Sequence, residues 1–178
     1  TLWSVIKQLD AMLSQSNPDQ IERDIERLYH TGEQQLNTKS YYGAIQTFSE
    51  IIRLTPESPY PYYNRGTAYF YHGQNYDKAI RDLTTVIRLK PKFDKAYRMR
   101  GLVRAEKGDW AGLRDDCNEA IRLNFTDAEL YNIRGGACYR LKDYQAALAD
   151  FDRAIQLDRT NPEPYHNRGL VRQHQGNL

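Results

Sequence analysis

The sequence predicts an all-α fold, a solenoid of helix-turn-helix hairpins with four complete units and the first helix of a fifth. Three observations carry that prediction. Gly32, Gly66, Gly101, Gly135 and Gly169 come into register when the chain is slid along itself, at spacings of 34, 35, 34 and 34 residues. Around them apolar and small residues recur at helical spacing, as in Leu130, Ile133, Ala137, Cys138 and Leu141, then Tyr144, Ala147, Leu148, Phe151, Ala154 and Ile155. A short polar break, Leu141-Lys142-Asp143-Tyr144, separates the two runs. One hairpin of short helices cannot bury its own apolar face, so a chain built this way stacks several copies.

The elements follow in order. Thr1 to Gln15 sets Leu2, Val5, Ile6, Leu9, Met12 and Leu13 on one helical face, and Ser16-Asn17-Pro18-Asp19 breaks it. This N-terminal amphipathic helix, residues 1–15, is expected either to cap the first hairpin or to act as a tethered ligand in a groove. Residues 16–24 form a linker and the start of the first repeat helix. Helices are then expected over 19–37, 41–54, 59–72, 76–89, 94–107, 110–123, 128–141, 144–157 and 162–175. The last is polar at its end and reads as a solubilising cap or as the first half of a further hairpin. The start at Thr1 rather than Met leaves room for a removed targeting segment.

The frame around each glycine is more specific than its period. Leu28, Tyr62, Tyr97, Tyr131 and Tyr165 lie four residues before it. The second helix opens on Tyr41, Tyr76, Trp110 or Tyr144, carries Ala44, Ala79, Leu113 or Ala147 three residues on, and then Phe48, Leu83, Cys117 or Phe151. Pro56 and Pro91 close the first two units. This frame resembles the tetratricopeptide repeat over residues 25–178. The resemblance implies a right-handed α-solenoid with repeats at 25–58, 59–93, 94–127 and 128–161 and a partial repeat at 162–178. The second repeat departs by one extra residue near Gln74-Asn75, and Phe125 and Arg159 stand where a closing proline is usual.

In that family the first helix of each hairpin lines a concave groove at places counted from the glycine. Carried over, the resemblance implies a partner-binding groove of Tyr29, His30 and Glu33, then Tyr63, Asn64, Thr67, Phe70 and Tyr71. Lys95, Arg98, Met99, Leu102 and Glu106 follow, then Asn132, Ile133, Gly136, Tyr139 and Arg140, with His166, Asn167 and Leu170 at the end. Aromatic anchors mixed with amide and cationic donors suit a peptide. Some relatives clamp a chaperone's C-terminal carboxylates with Lys, Asn, Asn, Lys and Arg. Here Asn64 and Lys95 match, but Tyr29, Glu33 and Met99 do not, so a chaperone tail is not the expected ligand. An acidic segment against Lys95, Arg98 and Arg140 is.

A second pattern recurs with the glycines. Arg65, Arg100, Arg134 and Arg168 each precede the glycine, and Asp82, Asp116 and Asp150 recur in the second helices. The first repeat has Thr31 and Thr47 at the two positions, so the charges come and go together. That favours a structural Arg–Asp bridge over a ligand-binding arginine ladder. Arg168 has no following helix, and Asp150 or a residue beyond the sequence is its expected partner.

Composition bounds the rest. The formal net charge is +2, yet Arg88 to Lys107 holds eight Lys or Arg against two acids, and Asp19 to Glu33 five acids against two arginines. No tract is apolar enough to span a membrane. Cys117 and Cys138 sit at helix-facing positions and read as small core residues, which points to a reducing, cytoplasmic compartment. No phosphate loop, paired metal-ligand spacing or nucleophile motif is present, so neither enzyme chemistry nor a metal or cofactor is expected. The sequence therefore points to a non-catalytic scaffold or adaptor, of the assembly-factor or co-chaperone kind, that holds a segment of another protein. The alternative is a helical-repeat RNA binder using Lys95, Arg98, Arg100 and Arg104 beside Tyr97, against which the near-neutral charge weighs.

Overall fold

A computed structural model describes residues 18–73, 75–123 and 127–176, and all regular structure among them is helical. The segment Thr1 to Gln15, expected as a cap or tethered ligand, lies outside the described residues. The helices are α1 Pro18–Asn37, α2 Tyr41–Leu54, α3 Pro59–His72, α4 Tyr76–Leu89, α5 Asp94–Glu106, α6 Trp110–Arg122, α7 Ala128–Arg140, α8 Tyr144–Leu157 and α9 Glu163–His174. They agree with the expected ranges to within one residue at each end. Each packs on its predecessor and successor, and α3 touches α5 as α7 touches α9. The result is a solenoid, with first helices on one side and second helices on the other.

The core is a column of small clusters. Ala44, Phe48 and Ile51 of α2 enclose Ala68 of α3. Ala79 and Leu83 of α4 pack with Val103 of α5. Leu113, Cys117 and Ala120 of α6 meet Tyr97, Leu130 and Ala137, and Phe151 and Ala147 of α8 meet Cys138 and Val171. Each cluster takes a residue from the next hairpin, so the burial that closes one unit also fixes its neighbour.

The register glycines make this approach possible. A Cβ at Gly32 would lie 2.7 Å from Phe48 Cζ, and one at Gly135 would lie 2.8 Å from Phe151 Cε1. Gly66 and Gly101 leave slightly more room, at 3.1 and 3.0 Å from Leu83 and Leu113. Gly169 departs from the expected structural role: nothing lies within 4 Å of its Cβ position, because no described helix covers α9 on that side.

The turns inside the hairpins share one device. Lys39, Gly108 and Lys142 follow the first helix with φ of 58°, 76° and 64°. The next amide reaches back five residues, from Ser40 to the Gln35 carbonyl at 2.7 Å, from Asp109 to Arg104 at 2.9 Å and from Asp143 to Cys138 at 2.9 Å. This is the Schellman closure, which uses a left-handed residue to satisfy the last helical carbonyls. Asp109 and Asp143 then cap the second helix by accepting from the Gly112 and Ala146 amides at 2.9 and 3.2 Å. The second hairpin, with its extra residue, turns instead through Gly73, whose amide donates to the Phe70 carbonyl at 3.2 Å.

A ladder of arginines ties the hairpins together. Arg65 donates to both Asp82 oxygens at 2.8 and 2.9 Å. Arg100 donates to Asp116 at 2.6 and 3.1 Å, and Arg134 to Asp150 at 2.6 and 2.9 Å. The carboxylates are buried, and the guanidiniums lie over Tyr62, Tyr97 and Tyr131 respectively. Each arginine also reaches backward to the second helix of the preceding hairpin: Arg65 to Ser49 Oγ at 3.0 Å, Arg100 to Thr84 Oγ1 at 3.0 Å and Arg134 to Asn118 Oδ1 at 2.8 Å. Arg168 makes only this backward bond, to Asp152 Oδ1 at 2.6 Å. Of its two expected partners, Asp150 is thereby corrected: Arg134 occupies the Asp150 carboxylate, and Asp152 holds the backward position of the ladder.

Both cysteines are buried free thiols. Burial pushes Cys117 up to about 12, and Cys138 is raised for the same reason. Neither is a reactive thiolate near neutral pH.

Candidate functional site

Three cavities run along the side formed by the first helices. The first, about 680 Å³, lies among α1, α3 and the start of α5, and Tyr29, Glu33, Tyr63, Asn64 and Lys95 line it. Tyr60 and Phe93 complete its wall, with Phe93 5.2 Å from Tyr63 and 5.9 Å from Tyr60 between ring centroids. Burial raises the phenols of Tyr29 and Tyr63, with Arg98 opposing the shift at Tyr63, so both are neutral hydrogen-bonding groups at physiological pH.

The second cavity, about 370 Å³, is bounded by Tyr63, Tyr71, Lys95, Arg98, Met99, Leu102 and Glu129. Arg98 is not an open cation here. It pairs with Glu129 and stands 3.6 Å from Asp127. The third cavity, about 320 Å³, is the most apolar: Trp110, Leu113, Ile133, Gly136, Ala137, Phe151 and Leu170 surround it, with Tyr139, Arg140 and Asn167 as polar neighbours. The Arg140 guanidinium lies 4.6 Å from the Trp110 ring centroid, a cation–π contact. Tyr139 Oη is 3.1 Å from His174 Nδ1, which ties the end of α9 to α7.

Most of the expected groove residues thus share one face, but His30, Glu106 and His166 do not line these cavities, and neither do three residues whose contacts show why. Thr67 turns its hydroxyl onto the Tyr63 carbonyl at 2.9 Å. Phe70 packs into the cluster around Ala79 and Leu83. Asn132 is 5% exposed and accepts from Asn167 Nδ2 at 3.0 Å, so it joins α7 to α9. The reason is common to all three: counting from the glycine fixes a residue's angle on its helix, whereas the neighbouring helix decides whether that angle is covered. Several wall residues were not expected, among them Tyr60 near the start of α3, Phe93 in the loop before α5, Glu129 of α7, and Trp110, Leu113 and Phe151 from second helices. Phe93 gave one signal, an aromatic within the polar stretch Lys90-Pro91-Lys92-Phe93-Asp94.

Part of the positive charge of the third repeat is paired within the chain. Arg100 and Arg104 both bond the buried Asp116, and Arg98 is paired as described. Three of the four cations named for RNA contact therefore have carboxylate partners, with Arg100 and Arg104 sharing one. Among the described residues no cluster of three His, Cys, Asp or Glu could hold a metal ion, and no helix is long and apolar enough to cross a membrane.

Comparison with known proteins follows the same line. A family model described as "Tetratricopeptide repeat" matches residues 63–124, and one described as "TPR repeat" matches residues 135–176. A small glutamine-rich tetratricopeptide repeat-containing protein of Mycosarcoma maydis is 37% identical over 76 residues, which are 43% of this chain and 21% of that protein. The chain spans 21 to 28% of the length of this and similar curated relatives. Among solved structures, MamA of Desulfovibrio magneticus RS-1 superposes with a TM-score of 0.81 at 18% identity, covering 86% of each chain. The first such domain of Spaghetti (RPAP3), bound to the HSP90 peptide SRMEEVD, superposes at 0.63 with 25% identity over 66% of this chain and 93% of that one. The repeat frame, the stacked hairpins and these matches agree, and the chain belongs to the tetratricopeptide repeat family.

Proposed function

We propose that this chain is a non-catalytic interaction scaffold that holds a segment of a partner protein in the groove along its first helices. One observation carries the reading: three cavities lie on that side, walled by aromatics and by polar groups at their rims. Such walls combine apolar anchoring with orientation, as peptide recognition requires. The Spaghetti domain, which resembles this fold, is bound to a peptide, and that supports the same use of the groove here. An assembly-factor or co-chaperone role in the cytoplasm fits the reading. Glu33 beside Lys95 disfavours a purely acidic ligand at the α1 end, so acidic character in the partner belongs nearer α7.

The test is affinity capture from a nuclease-treated lysate, with wild type against a folded Tyr63→Ala/Lys95→Glu variant. Arg98 is left intact, because its loss would also break the pairs with Asp127 and Glu129. Proteins held by wild type and lost by the variant are expected. Identical recovery by both baits would end the groove reading.

A further inference from the structure

The cavity at α7 differs in kind from its neighbours, and one residue makes the difference. Gly136 lines it, and a Cβ built there would meet nothing within 4 Å, whereas the adjacent Gly135 is pressed against Phe151. Two glycines in one helix interior weaken that helix. Close packing accounts for Gly135. At Gly136 the missing side chain leaves open space beside Trp110, Ile133 and Leu170, in a cavity of about 320 Å³ that admits one large side chain.

The charge at its rim is equally specific. The Arg140 guanidinium lies over the Trp110 ring and, among the described residues, has no carboxylate within ion-pair distance. Elsewhere in the groove Arg98 is held by Glu129, and Lys95 shares its cavity with Glu33. A guanidinium held over a ring by cation–π attraction still has N–H groups to offer a planar carboxylate. Lys95 too lacks an ion pair among the described residues, but a carboxylate lines its cavity and none lines the cavity at Arg140, so an unopposed positive charge stands beside the groove's most apolar pocket.

The geometry points to a socket at Gly136 and Arg140 for a peptide segment of a partner protein that carries a bulky apolar residue one or two positions from Asp or Glu. The apolar side chain fills the space above Gly136, and the carboxylate pairs with Arg140. This rests on the groove reading above and adds the class of sequence that the groove selects.

A random dodecapeptide library displayed on phage is the probe, selected against wild type, Gly136→Leu, Arg140→Glu and Tyr63→Ala/Lys95→Glu. Wild type is expected to enrich peptides in which Leu, Met, Phe or Trp neighbours Asp or Glu. Gly136→Leu should weaken these roughly tenfold or more while raising the melting temperature, since a helix-interior glycine is replaced by a strong helix former. That combination separates lost binding from lost fold. Arg140→Glu should keep the apolar position and exchange the acidic one for Lys or Arg. Peptides that bind both single variants like wild type yet fail on Tyr63→Ala/Lys95→Glu would overturn the socket and leave the groove standing. Peptides indifferent to all three variants, or no enrichment at all, would overturn both.

Discussion

Arg134 grips Asp150 through two bonds and Asn118 through a third, and its side chain is 22% exposed against 8% for Asp150. A pair this far from water gains little over an apolar pair but is costly to halve, because the remaining charge is stranded. Asp150→Ala should therefore cost about 3 kcal/mol, and a double-mutant cycle with Arg134→Met should return a coupling of about 1 to 3 kcal/mol in urea unfolding. Effects that add to within about 0.5 kcal/mol would show that the bridge does not hold the register. Half of this ladder is legible in the sequence, since Arg and Asp appear and disappear together across the repeats. The backward half is not, because Ser49, Thr84, Asn118 and Asp152 share a position and an acceptor oxygen but no residue type.

At the scale of single helices the sequence is nearly transparent. Each second helix begins on an aromatic after a polar break, and this signal places the starts of α2, α4, α6 and α8 without error. What it hides is the conformation of the break. Lys39 and Lys142 occupy the left-handed position that Gly108 fills in the third hairpin, and lysine carries no mark of positive φ in a sequence. A Cβ is disfavoured there, while glycine costs some chain entropy in the unfolded state. Lys142→Gly should stabilise by about 0.5 to 1 kcal/mol, read as a higher melting temperature. A lower one would mean that the lysine side chain contributes more than its backbone strain costs.

The groove as a whole was only partly readable. Its face follows from the helix on which a residue lies, so Tyr63, Lys95 and Tyr139 can be assigned from one repeat frame. Its walls also draw on Tyr60, Phe93 and Trp110, which enter from a helix start, a loop and a second helix, and only the stacked molecule brings them there. The same stacking bears on how the molecule comes apart. The first hairpin has Thr31 and Thr47 in place of the Arg–Asp pair, and Arg168 of α9 holds only the helix behind it. Among the described residues the ladder is thus a zipper whose teeth engage fully only in the middle. Amide protons should exchange soonest in α1 and α9 and last in α4 to α7, with protection falling away in both directions, as nearest-neighbour coupling in a linear array requires. Uniform protection along the chain would instead make it a single all-or-none unit. An unzipping order of this kind would let either end loosen and re-form around an incoming segment while the central hairpins keep the groove's shape.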